Sequence, residues 1–430
     1  MNNHERGSSV GHLLMVESWV GAMSALLPRG IRESGHRFSF ITRDLHHYLR
    51  SSPVPGAHPL LGAENLLTTE TNDVAALAEH VARLQPVLGF DGVLTSCDYY
   101  LPAVAHIAAR LGLPGAPPEA VERACSKDLT RRALREAGVP GPAFALAESA
   151  AGLEEAAAAL GYPLVLKPVD LCAGMFVRKV TDDVELRDAY AALRQFPVNA
   201  RGQRRNPLVL LEELLTGPEV SVETVTSRGR TSVIGVTDKS IAGAPWFVET
   251  GHMFPAALDL DTERAVVETA VAAVEALGLD NVVGHTELKL TPDGPRIVEV
   301  NPRPAGNQIT ELVRRVTGID LAAAYAQVAL GEEPALERAE TGAGSAAISF
   351  LLPPKEGVIG EVVGVQDLDG ADGVVDWKFK SSGHRSGPAT SNNNYLGHVM
   401  VTAPDPGRAR AKAEALVGGL DVRYAEEVPA

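Results

Sequence analysis

The stretch GHTELKLTPDGPRIVEVNPRPAG, residues 284–306, reads as two strands around a tight turn. Polar and apolar residues alternate on both sides of Pro292-Asp293-Gly294, which suits a three-residue hairpin: a type I turn followed by glycine in the left-handed position. In that register residue 291 faces 295, so Glu287 faces Glu299. Asn301 shares the face of Glu299, while Val298 and Val300 point the other way. Opposed Cβ atoms stand about 4.5–5.5 Å apart, so two carboxylates and an amide oxygen converge on one small volume. Like charges that close need a counterion. The hard-oxygen set suits Mg²⁺, which takes a few carboxylates plus substrate phosphates rather than a full protein cage. An isolated Glu-x-Asn would be ordinary strand alternation. The facing Glu287, with Arg303 and Gly306 directly behind, argues for a site.

Working outward, Lys167 ends the apolar strand YPLVLKPV, and Lys127 lies forty residues earlier in SKDLTRRALREAGVP. Taken singly, one reads as an exposed strand terminus and the other as a solvated charge on an amphipathic helix. DLCAGMFVRKV (170–180) is a short loop centred on Gly174 and matches no Walker A pattern. Glu212 and Glu213 follow an apolar strand and precede Leu214 and TGPEVSVE, where backbone groups can read a base edge.

The first hundred-odd residues alternate strand and helix: strands at 12–18, 37–44 and 92–96, helices at 21–34, 73–85 and 101–115. This predicts parallel βαβ units with the ligand edge at the strand C-termini, where Glu17, Ser18 and Asp98 lie. A Pro/Gly-punctuated junction places a boundary near 118. Strands then surround a basic segment at 199–207 and a helix from Thr262 to Leu277. Beyond about 338 strands dominate, with one late helix at 405–418 and the polar run SNNN at 391–394.

The chain has 430 residues and a net charge of −15, with 22% charged and 45% hydrophobic residues. Length predicts two to four domains, and the acidic balance argues against nucleic acid or an anionic membrane as partner. No stretch reaches about 18–20 uninterrupted apolar residues, so no membrane span is expected. The polar-first N-terminus shows no signal-peptide core. Cys97, Cys125 and Cys172 are dispersed and form no C-x-x-C pair; they read as packing residues in a cytoplasmic protein.

Taken in order, Lys127, Lys167, a glycine-containing loop, E-E-L-L, Glu219, Glu287 and E-V-N-P-R resemble the ATP-grasp superfamily, and among its members the L-amino-acid ligases and related carboxylate–amine ligases. The resemblance runs from about residue 10 to beyond 330. It implies a mixed α/β and α+β architecture: an N-terminal parallel α/β domain (1–118), an ATP-grasp domain (119–337, subdomains about 119–205 and 206–337) and a β-rich C-terminal domain (338–430). The loop DLCAGMFV departs from the pattern, being poorer in Gly and Ser than is usual there.

The resemblance further implies that Lys127 and Lys167 neutralise the phosphates of ATP and that the Gly174 loop folds over them. Glu212, Glu213 and Leu214 would bind adenine, and Glu219 the ribose. Glu287, Glu299 and Asn301 would hold two Mg²⁺ ions (Mn²⁺ as an alternative), and Arg303 with Gly306 would clamp the transferring phosphate. Glu17, Ser18, Asp98, Trp246, His252 and Asn307 would shape the substrate pocket. Within DKSIAGAPWFVETGHMFPA, His252 is the candidate for contact with substrate or its leaving proton, and Lys239 and Trp246 carry weaker signals. The implied reaction joins a carboxylate to an amine, both small molecules and amino acids by expectation, through an acyl phosphate with release of ADP and phosphate. Loading of a carrier-protein thiol and activation of bicarbonate or formate remain open alternatives, and a homodimer is expected by analogy.

Overall fold

The computed structural model describes residues 10–18, 21–49 and 58–425. Most of the polar N-terminal stretch, residues 1–9, lies outside the described residues. Strands β1 (His12–Val16), β2 (Arg37–Thr42), β3 (Leu66–Thr68) and β4 (Gly92–Leu94) form a parallel sheet in the order β3-β2-β1-β4. All five residues of β1 are buried, as expected for a parallel strand covered on both faces. Helix Val74–Leu88 starts at Asp73, whose carboxylate accepts from the Ala76 N–H, and stops at Gly89 with φ +61°.

A second, antiparallel sheet contains β5 (Phe144–Ala147), β6 (Leu164–Pro168), β7 (Arg178–Val180) and β8 (Val209–Glu213) in the order β5-β8-β6-β7. Leu164 and Leu166 face helices Ala150–Leu160 and Asp183–Arg194, packing with Leu153 and Leu186. Alternation sends Val165 and Lys167 to the opposite face, which remains open to a cavity.

The largest sheet has eight strands. Strands β9 (Glu219–Ser227), β10 (Arg230–Ile241), β11 (Glu249–Phe254), β12 (Val282–Thr291), β13 (Gly294–Asn301) and β14 (Ser345–Leu351) supply six of them. Of the remainder, β15 (Gly357–Val363), β17 (Arg385–Ser386) and β19 (Asp421–Tyr424) form a small separate sheet, while β16 (Val374–Phe379) and β18 (Gly397–Ala403) complete the large one. Its order is β13-β12-β9-β10-β11-β14-β18-β16. The hydrogen-bond ladder therefore passes from β11 to β14, across residue 337, so β14, β16 and β18 extend the central sheet while the small β17-β15-β19 sheet stands apart.

One face of β9, β10 and β12 carries Val220, Val222, Val236 and Leu288 against helix Leu260–Leu277. The other face is split along its length. Val225, Val283, Ile348 and Phe350 join the core under the N-terminal domain, whereas Glu219, Glu223, His285 and Glu287 form a polar end. Helices Ile309–Thr317 and Leu321–Ala329 link the large sheet to the parallel one. Their approach is close. A Cβ on Gly30 would lie 2.7 Å from the Ala323 backbone nitrogen, and one on Gly92 would overlap the Ala329 carbonyl oxygen. At the rim of this contact Glu311 accepts from Arg314 and Arg315 and pairs with Arg29 of the N-terminal domain at 3.3 Å. Among the described residues no helix is long and apolar enough to cross a membrane.

Gly92→Ala is expected to cost about 1–3 kcal/mol of stability, because neither backbone can retreat without unpacking the interdomain core; chemical denaturation measures it. Burial opposes ionisation of Glu311, but hydrogen bonds and charge from Arg314, with Arg29 and Arg315, hold its carboxyl below the usual range. A carboxyl depressed in the folded state stabilises above its unfolded pKa and loses that contribution as pH falls through its folded value. Glu311→Gln should therefore be less stable than wild type at pH 7, with the gap closing as the pH is lowered below about 4. A gap constant across that range would show that the carboxylate contributes nothing.

Candidate active site

The site is built on the polar end of the large sheet. Thr291 pairs with Gly294, so the β12–β13 turn holds two residues, Pro292 and Asp293, and not the three expected. A bulge between Glu287 and Leu288 on one strand, opposite Val298 on the other, then shifts the register by one residue. Glu287 consequently does pair with Glu299, although by a different route. The extra residue, Val298, borders the cavity, while Val300 remains in the core.

Each carboxylate there has a cation beside it. Lys239 Nζ, from β10, lies 2.8 Å from Glu287 and 3.0 Å from both Glu219 and Glu249. His285, two residues before Glu287 and so on the same face, lies 3.0 Å from Glu287 through Nε2 and 3.0 Å from Glu223 through Nδ1. Lys127 donates to Glu299 at 2.6 Å and to the Leu171 carbonyl at 2.7 Å. Burial alone would depress Lys239, but Glu249, Glu287 and Glu219 outweigh it and hold the ammonium well above the lysine range. For His285, burial is likewise outweighed by Glu223 and Glu287, and its pKa rises to about 9. Burial pushes Glu287 up, yet Lys239 and His285 more than reverse this and keep it ionised.

A second cluster faces the first from the smaller sheet. Glu212 accepts from Lys167 at 2.6 Å and from Arg131 Nε at 2.5 Å, with all three side chains buried. Burial raises the Glu212 carboxyl, but Arg131 and Lys167 bring it below its ordinary value. The effect of burial on Lys167 exceeds the pull of Glu212, and with Arg131 nearby its pKa falls. Between the sheets, Arg303 Nε donates to Asp98 at 2.6 Å, joining the β13 exit loop to the N-terminal domain.

These groups surround a cavity of about 860 Å³. All the residues nominated from sequence line it, including Lys127, Gly174, Glu213, Leu214, Trp246 and Gly306, with four exceptions: Lys239, which lies beneath it, and Glu17, Ser18 and His252. Glu17 sits at the end of β1 as expected, but its carboxylate turns inward. It accepts from Thr42 Oγ1 at 3.0 Å, Thr71 Oγ1 at 2.7 Å and the Arg43 N–H at 2.7 Å, so it ties loops of its own domain. Ser18 Oγ accepts from the Ser96 N–H at 2.7 Å and stands one layer behind Ser96, which does line the cavity. His252, opposite Lys239 in β11, is buried 3.3 Å from Glu249 with its ring against Phe350, so Glu249 screens it from the cavity. Glu212 lines the wall, but its carboxylate is committed to two cations and is not free for a base. The Gly174 loop compensates for its lack of glycine by placing Ala173 (φ +57°) and Phe176 (φ +58°) in the left-handed region beside Gly174 (φ +68°).

Sequence reasoning missed Arg131, Glu223, Glu249 and His285, and it underrated Lys239. Arg131 is four residues from Lys127, hence on the same helix face, and His285 is two from Glu287 on the same strand face; both spacings were available as signals. The three thiols are free, and nothing activates them. Burial pushes Cys97 up to about 11 and Cys172 to about 12. Among the described residues no three His, Cys, Asp or Glu groups stand at metal-holding distance. The donor set nonetheless fits Mg²⁺: the opposed carboxyl groups of Glu287 and Glu299 with the Asn301 amide make a partial oxygen shell that phosphate oxygens would complete.

Three family models match: an ATP-grasp N-terminal domain at residues 33–115, an ATP-grasp domain at 160–311, and the L-amino acid ligase C-terminal domain 2 at 349–425. The chain belongs to the ATP-grasp superfamily. Protein y4rH of Sinorhizobium fredii is 28% identical over 92% of this chain and 82% of its own length. An alanine–anticapsin ligase of Bacillus subtilis is 29% identical over 57% of this chain, which spans about half (55%) of that relative. The solved L-amino acid ligase of Bacillus licheniformis shares the fold with a TM-score of 0.79 and 24% identity, covering 97% of this chain and 99% of that one. The ATP-grasp match takes in strands β6 through β13, parts of both sheets that flank the cavity, while Lys127 and Arg131 reach the site from a helix ahead of it.

Glu212→Ala would leave Lys167 and Arg131 buried side by side without their shared anion. Removing one partner of such a buried cluster is expected to cost about 3–5 kcal/mol, visible as a lowered denaturation midpoint. An unmoved midpoint would show that the three charges do not support the ATP-grasp lobe.

Proposed function

We propose that this ATP-grasp protein is an ATP-dependent ligase that joins a carboxylate to an amine, with amino acids as the substrate class. One observation carries the reading: Glu287 and Glu299 oppose each other in a cavity that also receives Lys127, Lys167 and Arg303. The matched L-amino acid ligase C-terminal domain and the names of the ligase relatives support the choice of substrate class. The working units are residues 1–118, 119–337 and 338–430, with the nucleotide in the middle one.

Lys127 and Lys167 are assigned to the phosphates, and the Gly174 loop covers them. The backbone at Glu213 and Leu214 contacts adenine, since the Glu212 carboxylate is occupied, and Glu219 is placed for the ribose. Glu287, Glu299 and Asn301 would hold two Mg²⁺ ions, whose positive charge would offset the repulsion between ATP and an anionic substrate. Lys127, now on Glu299, is in place to turn to phosphate once that carboxylate is otherwise neutralised, and Lys239 lies beneath Glu287 and keeps it ionised.

The substrate carboxylate attacks the γ-phosphorus, forming an acyl phosphate and ADP. The Arg303 guanidinium, fixed by Asp98, orients the transferring group and balances its charge. The amine then attacks the acyl carbon and phosphate leaves, giving the amide. Asn307, whose side-chain amide donates to Glu249 at 2.6 Å, stands four residues beyond Arg303 and contributes to the substrate wall.

With Mg-ATP and a matrix of amino-acid pairs, ADP and phosphate are expected only when both a carboxylate and an amine substrate are present. Arg303→Ala and Glu299→Gln should each lower that rate by about a hundredfold or more while the proteins stay folded, and chelation of Mg²⁺ should abolish it. Release of AMP and pyrophosphate would rule the mechanism out.

A further inference from the structure

The polar run SNNN at 391–394 has no part in the assignments above, yet Asn392 and Asn393 border the cavity. The run leads into β18, and its base is pinned to the large sheet. There the Leu396 N–H donates to the Leu351 carbonyl at 2.8 Å, and Leu396 is fully buried. The tip is folded on Asn394, whose side-chain oxygen accepts from the N–H groups of Thr390 at 3.2 Å and Ser391 at 3.0 Å. Asn392 then makes two bonds to other segments. Its backbone N–H donates to the Ala173 carbonyl at 3.2 Å, and its side-chain oxygen accepts from the Glu249 N–H at 3.0 Å. One residue of the C-terminal segment thus joins the loop between β6 and β7 to strand β11.

The loop needs such a tie. Its own bonds, from the Met175 N–H to the Cys172 carbonyl at 3.2 Å and from the Val177 N–H to the Gly174 carbonyl at 3.1 Å, close turns within it and fix nothing outside. Ala173 and Phe176 stand in the left-handed region, which residues with a side chain hold only when their surroundings impose it. At the start of the loop Lys127 Nζ donates to the Leu171 carbonyl, but that ammonium is the one assigned to phosphate. At its far end the Lys179 N–H donates to the Pro245 carbonyl at 3.1 Å, and the Arg178 guanidinium lies 5.3 Å from the ring centre of Trp246, three residues ahead of Glu249. Between these ends, among the described residues, the bond from Asn392 is the only hydrogen bond from residues 173–175 to another segment. Its other anchor belongs to the substrate wall, because the Glu249 carboxylate accepts from Asn307.

We infer that Asn392 is a positioning residue for the nucleotide: the C-terminal tip holds the loop of residues 170–177 down over the phosphate end of the cavity and fastens it to the wall that carries Glu249. The inference rests on the ligase reading for what the loop covers, and it adds a C-terminal residue to the nucleotide half of the site. A loop held from outside needs less glycine to keep its shape, which suits the composition of DLCAGMFV.

The test compares wild type with Asn392→Ala, which removes the acceptor for the Glu249 N–H, and Asn392→Asp, which keeps it. Amide hydrogen exchange is read on the ligand-free protein at peptides covering 170–177. Exchange there should be about two- to tenfold faster in the alanine variant, the scale of one neutral hydrogen bond, with exchange elsewhere and the denaturation midpoint unmoved. The aspartate variant should exchange like wild type, a rescue that a general loss of packing would not show. Calorimetric titration with Mg-ATP should give a Kd for Asn392→Ala weakened by a similar factor. Exchange at 170–177 unchanged in the alanine variant, or raised equally in both variants, overturns the inference, and so does an unchanged Kd for Mg-ATP. No ADP from wild type with any substrate pair overturns the ligase reading alone, because neither exchange nor titration depends on turnover.

Discussion

The central constraint on this molecule is the crowding of carboxylates on one end of a single sheet face. Glu219, Glu223, Glu249 and Glu287 come from three different strands and are all wholly or largely buried. An uncompensated charge in such a place costs several kcal/mol, and removing one member of a buried pair costs about 3–5 kcal/mol. The Lys239 ammonium, within 3.0 Å of three of them, and His285, between the other neighbours, make the arrangement possible. Glu299 lies one strand further out and must borrow its cation, Lys127, from a helix outside the sheet. Docking of the smaller lobe is thus coupled to charge balance in the larger one.

That coupling explains what was legible in the sequence and what was not. Facing of Glu287 and Glu299 is a local property of one hairpin, and local alternation is enough to read it. Two local errors, the turn length and the omitted bulge, cancelled because a bulge and a shortened turn each shift pairing by one residue. Lys239 is different. Its three partners lie at positions 219, 249 and 287, and its register depends on a bulge between Val233 and Gly235. No local pattern encodes such a meeting.

Strand-end reasoning behaved in a similar way. It located Asp98 at the cavity correctly and Glu17 at the right strand terminus, but it could not say which way a carboxylate turns. The hydroxyls of Thr42 and Thr71 and the Arg43 N–H offer Glu17 more hydrogen bonds inward than water does outward. The parallel N-terminal sheet and its helices were legible because each unit is built from neighbours in sequence. The pairing of β11 with β14, some ninety residues apart, was not.

That last pairing bears on how the chain can vary. Ser349 and Gly251 are neighbours in one ladder, so the segment matched as a separate C-terminal unit shares its backbone hydrogen bonds with the strand that carries Glu249. The C-terminal strands and the charge-bearing end are one mechanical piece. Inheritance of new substrate preferences by exchanging whole C-terminal segments would cut through a continuous ladder, whereas side-chain changes along β16 and β18 leave it intact. Diversification in this architecture is therefore channelled into point substitution on a fixed sheet.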